Sequence, residues 1–217
     1  MVPIVSWLML RGKCRYCHKP IGWLALALEL SMVALFVMSY LFWPFGWTFA
    51  GDGLFAVWLL ALVLMAALAV YDARWRLLPN KLVWPLVGLA LIFAVINYFF
   101  IQHVNFVNFL LNLLLGLLPI AGLYGALWLV SRGKWVGLGD VKLGVAVGLL
   151  LPWQQGLVVL IGANFLGCLA ILPLLIRKKL KPGSQIPFGP CLITATFVAV
   201  LFGQIIVDFA RKNLLLM

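Results

Sequence analysis

The sequence predicts an all-α, polytopic membrane protein with about seven hydrophobic helices. Hydrophobic residues make up 66% of the 217 residues and charged residues only 10%, whereas a soluble domain would carry roughly 25% charged residues. The mean hydropathy is +1.17. Several apolar runs have the length of about 20 residues that crosses the roughly 30 Å hydrocarbon core of a bilayer. Helices are expected throughout, because a membrane span must satisfy its own backbone hydrogen bonds.

Seven apolar runs follow one another along the chain. The fifth is short for a spanning helix, and its two glycines and the Pro152–Trp153 stop indicate a short, tilted or partly shielded helix. We divide the chain into a cytoplasmic, cysteine-containing segment (residues 1–22) and a transmembrane domain (residues 23–217). The predicted runs are residues 23–43, 54–71, 82–101, 107–130, 141–151, 156–176 and 188–209.

The charge distribution predicts the orientation of these helices. Sixteen Lys and Arg residues stand against five Asp and Glu, for a formal net charge of +11. In a soluble protein this would suggest nucleic acid as a partner, but here the cations cluster in short loops between runs. With seven crossings, all but Arg211 and Lys212 fall on the N-terminal side, which the positive-inside rule makes cytoplasmic. We therefore expect these loops to face anionic lipid rather than nucleic acid.

Two acidic residues, Asp72 and Asp140, are the strongest candidates for a functional site. Each stands where an apolar run meets a basic segment marked by Gly or Pro, in AVYDARWRLLPNKL and GKWVGLGDVKLG. An ionisable residue at a membrane span is costly and is by default a functional hypothesis. Two adjacent carboxylates share a proton, so that one can act as general base on water while the other polarises a carbonyl. The predicted topology places both at the cytoplasmic side.

Structural roles for the same aspartates stay open. Asp140 could cap the helix that begins VKLGVAVG, and Asp72 could pair with Arg74 or Arg76. The residues around them are expected to shape the site. Gly137 and Gly139 allow unusual backbone angles and the close approach of another segment. Pro79 is expected to end or bend the segment that follows the first aspartate.

Four blocks, in order, resemble the type IV prepilin peptidases, which are membrane aspartyl proteases of the GxGD type. The blocks are WLMLRGKCRYCHKPI, YDARWRLLPNKL, GLGDVKLG and IPFGP, and the resemblance covers nearly the whole chain. It implies that Asp72 and Asp140 are a catalytic pair that needs no cofactor. The implied reaction removes the basic leader of type IV prepilins or pseudopilins, after a glycine, at the cytoplasmic face of the inner membrane.

The resemblance also implies a set of residues that support this site. The segment Ile186–Pro190 would lie at the cytoplasmic end of the last span. The supporting residues are Gly137, Gly139, Lys142, Pro79, Pro187 and Gly189.

A second activity is less well supported by the sequence. Many bacterial members also methylate the new N-terminus with S-adenosylmethionine, and they bind zinc through two CxxC pairs in a cytoplasmic loop. This chain has one pair, Cys14 and Cys17. The family's first span and first CxxC are missing, as in a naturally short or truncated form, which puts methyl transfer in doubt.

The single CxxC pair allows several interpretations. Cys14 and Cys17 supply two of the four ligands of a structural zinc site, and His18 is a candidate third. The pair could instead be reduced and unliganded, or share zinc between two protomers. Glu29 matches a family Glu in the following span, and it either takes part in methyl transfer or pairs with a polar neighbour.

Two other classes of function compete with the peptidase. One is a small transporter or channel subunit that uses the aspartates as proton or cation sites. The other is an inactive scaffold that keeps the family fold.

Overall fold

A computed structural model of the chain describes residues 7, 9, 10, 12–20, 22–176 and 187–215. These residues form α-helices joined by short turns. The helices are α1 (Trp23–Leu41), α2 (Phe49–Trp75), α3 (Asn80–Val95), α4 (Phe106–Leu117), α5 (Leu123–Ser131), α6 (Leu138–Leu150), α7 (Trp153–Ile176) and α8 (Gly189–Leu215). A π-helical stretch, Ile96–Ile101, continues α3, and a second, Leu118–Gly122, joins α4 to α5.

Six helical segments within the described residues are long and apolar enough to cross a membrane. They correspond to the predicted runs other than the fifth. The fifth run forms α6, whose 13 residues extend only about 20 Å at 1.5 Å per residue. The predicted fold class, with its short fifth helix, is confirmed. The basic residues Arg177, Lys178, Lys179 and Lys181, which helped to set the predicted topology, lie outside the described residues, as do Arg11 and Ile186.

The chain divides into two compact units, Met1–Trp43 and Pro44–Met217. In the first unit, a short loop carries the CxxC pair ahead of α1. Lys13 and Pro20 form an antiparallel bridge, and the Cys14 N–H donates to the Lys19 carbonyl at 2.9 Å. The His18 N–H donates to the Cys14 carbonyl at 3.0 Å. The loop therefore holds both cysteines at the tip of a tight turn.

Helix α6 lies inside the second unit and is shielded by its neighbours. It contacts α3, α4, α5 and the π-helical stretch Leu118–Gly122. Leu143, Ala146 and Val147 are fully buried, because each faces another helix instead of lipid. The expectation of a short, shielded helix is thus met, and its central position fixes the residues at its N-terminal end.

Two glycines let α6 approach α4 very closely. A Cβ built at Gly148 would lie 2.8 Å from the Gly116 carbonyl oxygen and 2.9 Å from the Leu117 Cα. Both are backbone atoms, which cannot turn away as a flexible side chain can. This crossing requires glycine at both positions and holds the outer part of α6 against α4.

We expect Gly148→Ala to destabilise the fold by about 1–3 kcal/mol, since the added methyl group forces two backbones apart. Thermal unfolding in detergent micelles measures the change. Gly88→Ala is the matched control, because a Cβ at Gly88 meets nothing within 4 Å. That control should gain about 0.5–1 kcal/mol from the better helix propensity of alanine. Equal shifts in the two variants would contradict the close crossing.

Candidate active site

Asp72 lies in the last turn of α2, with 6% of its surface exposed. Helix α2 ends at Trp75, because Arg76 adopts a left-handed conformation with φ of 53°. The Arg76 N–H donates to the Asp72 carbonyl at 2.8 Å. The carboxylate therefore sits on a rigid helical turn, and the chain reverses immediately after it.

The Asp72 side chain is bound by the start of α8. Its Oδ2 accepts a hydrogen bond of 2.8 Å from the backbone N–H of Gly189, the first residue of that 27-residue helix. A Cβ at Gly189 would lie 2.7 Å from the same oxygen, so only glycine allows this approach. The N-terminus of a helix carries partial positive charge and stabilises an anion. The Gly189 N–H therefore favours the ionised form of Asp72, whereas the burial of the side chain opposes it.

Asp140 lies in the first turn of α6 and is half-buried. Burial raises the pKa of Asp140 from 3.8 to about 6; the charge of Asp72 adds to the rise, and a hydrogen bond with the Gly137 backbone opposes it. The two predicted site residues, 68 positions apart in the sequence, are therefore close enough to interact electrostatically. One can be ionised while the other keeps its proton.

The fold shows neither Asp140 as a helix cap nor Asp72 paired with Arg74. Helix α6 begins at Leu138 with Gly137 at its cap position, so Asp140 lies inside the first turn and is not the capping residue. Asp72 accepts from the Gly189 N–H, whereas the guanidinium of Arg74 lies over the Trp75 ring, 5.8 Å from its centroid.

Gly137 and Gly139 serve close packing rather than unusual backbone angles. Gly137 has an ordinary extended backbone with φ of −73°, and Gly139 has no positive φ. The predicted unusual angles are therefore wrong for both residues, while the predicted close approach is right. A Cβ at Gly137 would lie 3.3 Å from Asp140 Oδ2, and one at Gly139 would lie 2.9 Å from the Cδ1 of Leu78.

Pro79 lies at the end of the short segment that follows the first aspartate. Helix α2 has already ended at Trp75, and Pro79 is the residue immediately before α3, with φ of −67°. It therefore ends the connector between the two helices. Pro187, also predicted at the site, lies half-buried two residues before Gly189.

Sequence reasoning missed three polar residues near the aspartates. Asn80 accepts a hydrogen bond of 2.9 Å from the predicted site residue Lys142. Tyr124 is buried and within electrostatic range of Asp140. Asn164 donates to the Tyr124 hydroxyl at 3.4 Å. The signal for the last two was a polar group inside a long apolar run.

The Tyr124 ring also contacts the segment that precedes α8. It packs edge-to-face against Phe188, with ring centroids 5.7 Å apart. Phe188 is followed by Gly189, which binds Asp72. Tyr124 thus lies within electrostatic range of Asp140 and beside the segment that binds Asp72.

The cysteine loop of the first unit offers half of a metal site. Backbone N–H groups of Cys17 and Tyr16 hydrogen-bond to the sulfur of Cys14 and lower its pKa, which favours a thiolate. However, the described residues hold no group of three or more His, Cys, Asp or Glu side chains placed to bind one metal ion. Within that part of the chain, the two thiols and the neighbouring His18 therefore do not form a group of three ligands, and zinc binding stays a prediction. Glu29 is half-buried in α1.

Comparison with known proteins connects this arrangement to a family. The type IV leader peptidase family matches residues 58–172, and the bacterial peptidase A24 N-terminal domain matches residues 1–43. The chain belongs to the type IV leader peptidase family. The first match contains both Asp72 and Asp140, and the second contains the CxxC pair. Three of the four sequence blocks that carry the resemblance therefore lie inside a matched domain.

Similar proteins extend over nearly the whole chain. The prepilin leader peptidase/N-methyltransferase of Aeromonas hydrophila is 33% identical over 99% of this chain and 70% of its own length. The proteins of the same name from Stutzerimonas stutzeri and Pseudomonas aeruginosa are both 32% identical, over 97% and 94% of this chain and 71% and 67% of their own lengths. No solved structure matches the chain.

In this member of the family, the raised pKa of Asp140 predicts a stability cost. A carboxyl group whose pKa is higher in the folded than in the unfolded state loses stability as pH rises between the two values. Here that interval runs from 3.8 to about 6. At neutral pH we expect Asp140→Asn to raise the free energy of unfolding by up to about 3 kcal/mol.

Thermal unfolding at pH 7.5 and pH 4 tests this expectation. The gain should be present at pH 7.5 and mostly lost at pH 4, where the carboxyl is protonated in the folded state and close to its pKa in the unfolded state. Asp52→Asn is the control. Asp52 is exposed in the first turn of α2, where a negative charge is slightly favourable, so that variant should lose up to about 1 kcal/mol. A destabilised Asp140→Asn at pH 7.5 would contradict the predicted cost.

Proposed function

We propose that this chain is a membrane aspartyl endopeptidase that removes the basic leader from type IV prepilins or pseudopilins. The supporting observation is the pairing of two carboxylates in unlike environments. Asp72 accepts the Gly189 N–H at the start of α8, while the pKa of Asp140 is raised by burial and by the charge of Asp72. The membership of the leader peptidase family supplies the substrate class.

The two carboxylates would divide the chemistry of hydrolysis between them. Ionised Asp72 takes a proton from a water molecule held between the carboxyl groups, and the resulting hydroxide attacks the scissile carbonyl carbon. Protonated Asp140 donates to the carbonyl oxygen as the tetrahedral intermediate forms. The C–N bond then breaks, and the proton held by Asp72 passes to the leaving amine. One hydroxyl proton of the intermediate returns to Asp140, and the acid product keeps both oxygens.

The membrane would bring the substrate to this site. Six segments can span a bilayer, and both aspartates lie at helix ends, in the last turn of α2 and the first turn of α6. A substrate helix inserted in the same bilayer would place its junction with the leader at that depth. By the positive-inside rule this is the cytoplasmic face, and we assign the enzyme to the inner membrane.

The polar groups at the other end of the unit argue against a transport role. Two adjoining cavities of about 180 and 260 Å³ are lined there by amide side chains, among them Gln102, Gln155 and Gln204. Between Asp140 and the cavities, α6 carries three fully buried apolar residues, Leu143, Ala146 and Val147. Within the described residues, α6 thus interposes an apolar layer between the aspartates and the cavities, which is unfavourable for conducting ions or protons.

Incubation of the purified full chain with a prepilin, followed by mass spectrometry, tests the proposed reaction. We expect two products whose masses sum to that of the substrate plus one water. The Aeromonas hydrophila relative serves as a positive control for the substrate. Intact substrate under conditions in which that control releases the leader would contradict the proposed function. A parallel incubation with S-adenosylmethionine would reveal methyl transfer as a mass gain of one methyl group on the mature product.

A further inference from the structure

The connector between α2 and α3, residues 76–79, begins at the backbone of Asp72. The Arg76 N–H donates to the Asp72 carbonyl at 2.8 Å, and α3 starts four residues later at Asn80. A displacement of this connector is therefore transmitted directly to the helical turn that carries the Asp72 carboxylate.

The connector and the first residue of α3 contact the segment that carries Asp140 at two points, one on each side of it. Before Asp140, the Leu78 side chain packs on Gly139, where a Cβ would lie 2.9 Å from Cδ1 and 3.0 Å from Cβ of Leu78. After Asp140, the Lys142 Nζ donates to Asn80 Oδ1 at 2.9 Å. Two contacts that flank one residue fix both its distance and its rotation.

Lys142 is not placed as a charge partner of Asp140. Residues two positions apart on a helix do not face each other, and the ammonium group of Lys142 is directed to Asn80 on α3. The bond is exposed to solvent, and its charged donor makes it stronger than a neutral bond in the same place. This bond ties the N-terminus of α6 to the N-terminus of α3.

We propose that Lys142 and Asn80 are positioning residues, which set the separation of Asp72 and Asp140 through the connector. This inference rests on the proposed function, because it concerns the geometry of the same carboxylate pair. Its consequence for the reaction is steep, since a misplacement of about 1 Å can cost about 10²-fold in rate. The loss falls on kcat because neither side chain needs to touch the substrate.

Kinetic measurements on single and double variants test the positioning role. We expect Lys142→Met and Asn80→Leu each to lower kcat for leader release about tenfold, with KM nearly unchanged. The double variant should be no worse than the more damaged single, because both remove the same contact. Lys142→Arg and Asn80→Asp keep a donor and an acceptor and should recover most of the activity. The controls are Lys134→Met, an exposed cation in the loop before α6, and Asn105→Leu, an exposed residue that precedes α4.

The pH profile separates positioning from a general loss of structure. If the connector moves, the charge of Asp72 acts on Asp140 from a greater distance and raises its pKa less. The alkaline limb of the pH profile of kcat/KM should therefore move to lower pH in the Lys142→Met variant. In the Lys134→Met variant it should stay in place. Losses that add in the double variant, or an unmoved limb, would overturn the proposal.

A second pair of variants tests the contact on the other side of Asp140. Gly139→Ala should lower kcat because its methyl group displaces Leu78, and adding Leu78→Ala should restore part of the rate by removing Cδ1. No recovery in that double variant would count against the connector. The failure of the whole proposed function looks different, because the wild-type chain would then leave the prepilin intact, or Asp72→Asn and Asp140→Asn would cleave it normally. If the aspartate variants are inactive while Lys142→Met and Asn80→Leu keep wild-type kinetics, only the positioning role is overturned.

Discussion

Asp72→Asn and Asp140→Asn should each lower kcat for leader cleavage by about 10²- to 10⁴-fold, the contribution typical of a general acid or base. Asparagine keeps the size and the hydrogen-bonding reach of aspartate but cannot exchange the proton that hydrolysis requires. An amide at position 72 can still accept the Gly189 N–H, which the wild-type carboxylate accepts at 2.8 Å. KM should therefore change little. Single-turnover release of the leader, followed by mass spectrometry, measures the effect.

The double aspartate variant distinguishes a dyad from two independent contributions. The effects of mutating groups that act as one catalytic unit are strongly non-additive. The double variant should therefore be about as inactive as the less active of the two single variants. Asp208→Asn is the matched control, because Asp208 accepts from Gln204 at 3.2 Å near the far end of α8. It should cleave at the wild-type rate. Full cleavage by either single variant at the catalytic positions would refute the dyad.

The helices could be predicted because length and hydropathy determine where a chain can cross a bilayer. The boundaries were less predictable where polar residues enter a helix. The second run was expected to start at residue 54, since AGDG reads as a loop, but α2 begins at Phe49. The Thr48 side chain accepts the Gly51 N–H at 3.1 Å, and this cap makes the helix start five residues earlier.

The aspartates could be chosen as candidates from their energetic cost, whereas their partners could not be predicted. A carboxylate beside a bilayer signals function in any sequence, so Asp72 and Asp140 stood out without tertiary information. Gly189 contacts Asp72 across 117 residues, and no local pattern encodes that distance. The resemblance placed IPFGP near the site, and only the fold shows which backbone N–H meets which oxygen.

The same limit applies to the polar residues around the pair. Asn80 lies in the quoted block YDARWRLLPNKL, eight residues after Asp72, but its partner Lys142 is 62 residues further on. Tyr124 and Asn164 belong to different helices, α5 and α7, and meet only in the folded protein. Sequence reasoning recovers residues with an intrinsic energetic cost, and it misses those whose role depends on a neighbour.

Gly189→Ala should be the most damaging change outside the aspartates. Its methyl group would lie 2.7 Å from Oδ2 and 3.1 Å from Cγ of Asp72, and both atoms belong to a buried side chain on a rigid turn. Either the carboxylate or the start of α8 has to shift, and the N–H bond to Asp72 is then stretched or lost. We expect kcat to fall by about 10²-fold, with a loss of about 1–3 kcal/mol in stability from overpacking.

Gly162→Ala provides the control for this substitution on the same pair of packed helices. A Cβ at Gly162 in α7 would meet the Cβ of Ala195 in α8 at 3.5 Å, an ordinary van der Waals contact. That variant should keep wild-type kinetics and stability within about 1 kcal/mol. Comparison of the two variants isolates the contact with Asp72 from the general effect of adding a methyl group to a helix. If Gly189→Ala cleaves at the wild-type rate, the N–H of residue 189 does not hold the Asp72 carboxylate in place, and that carboxylate has to be oriented by α2 alone.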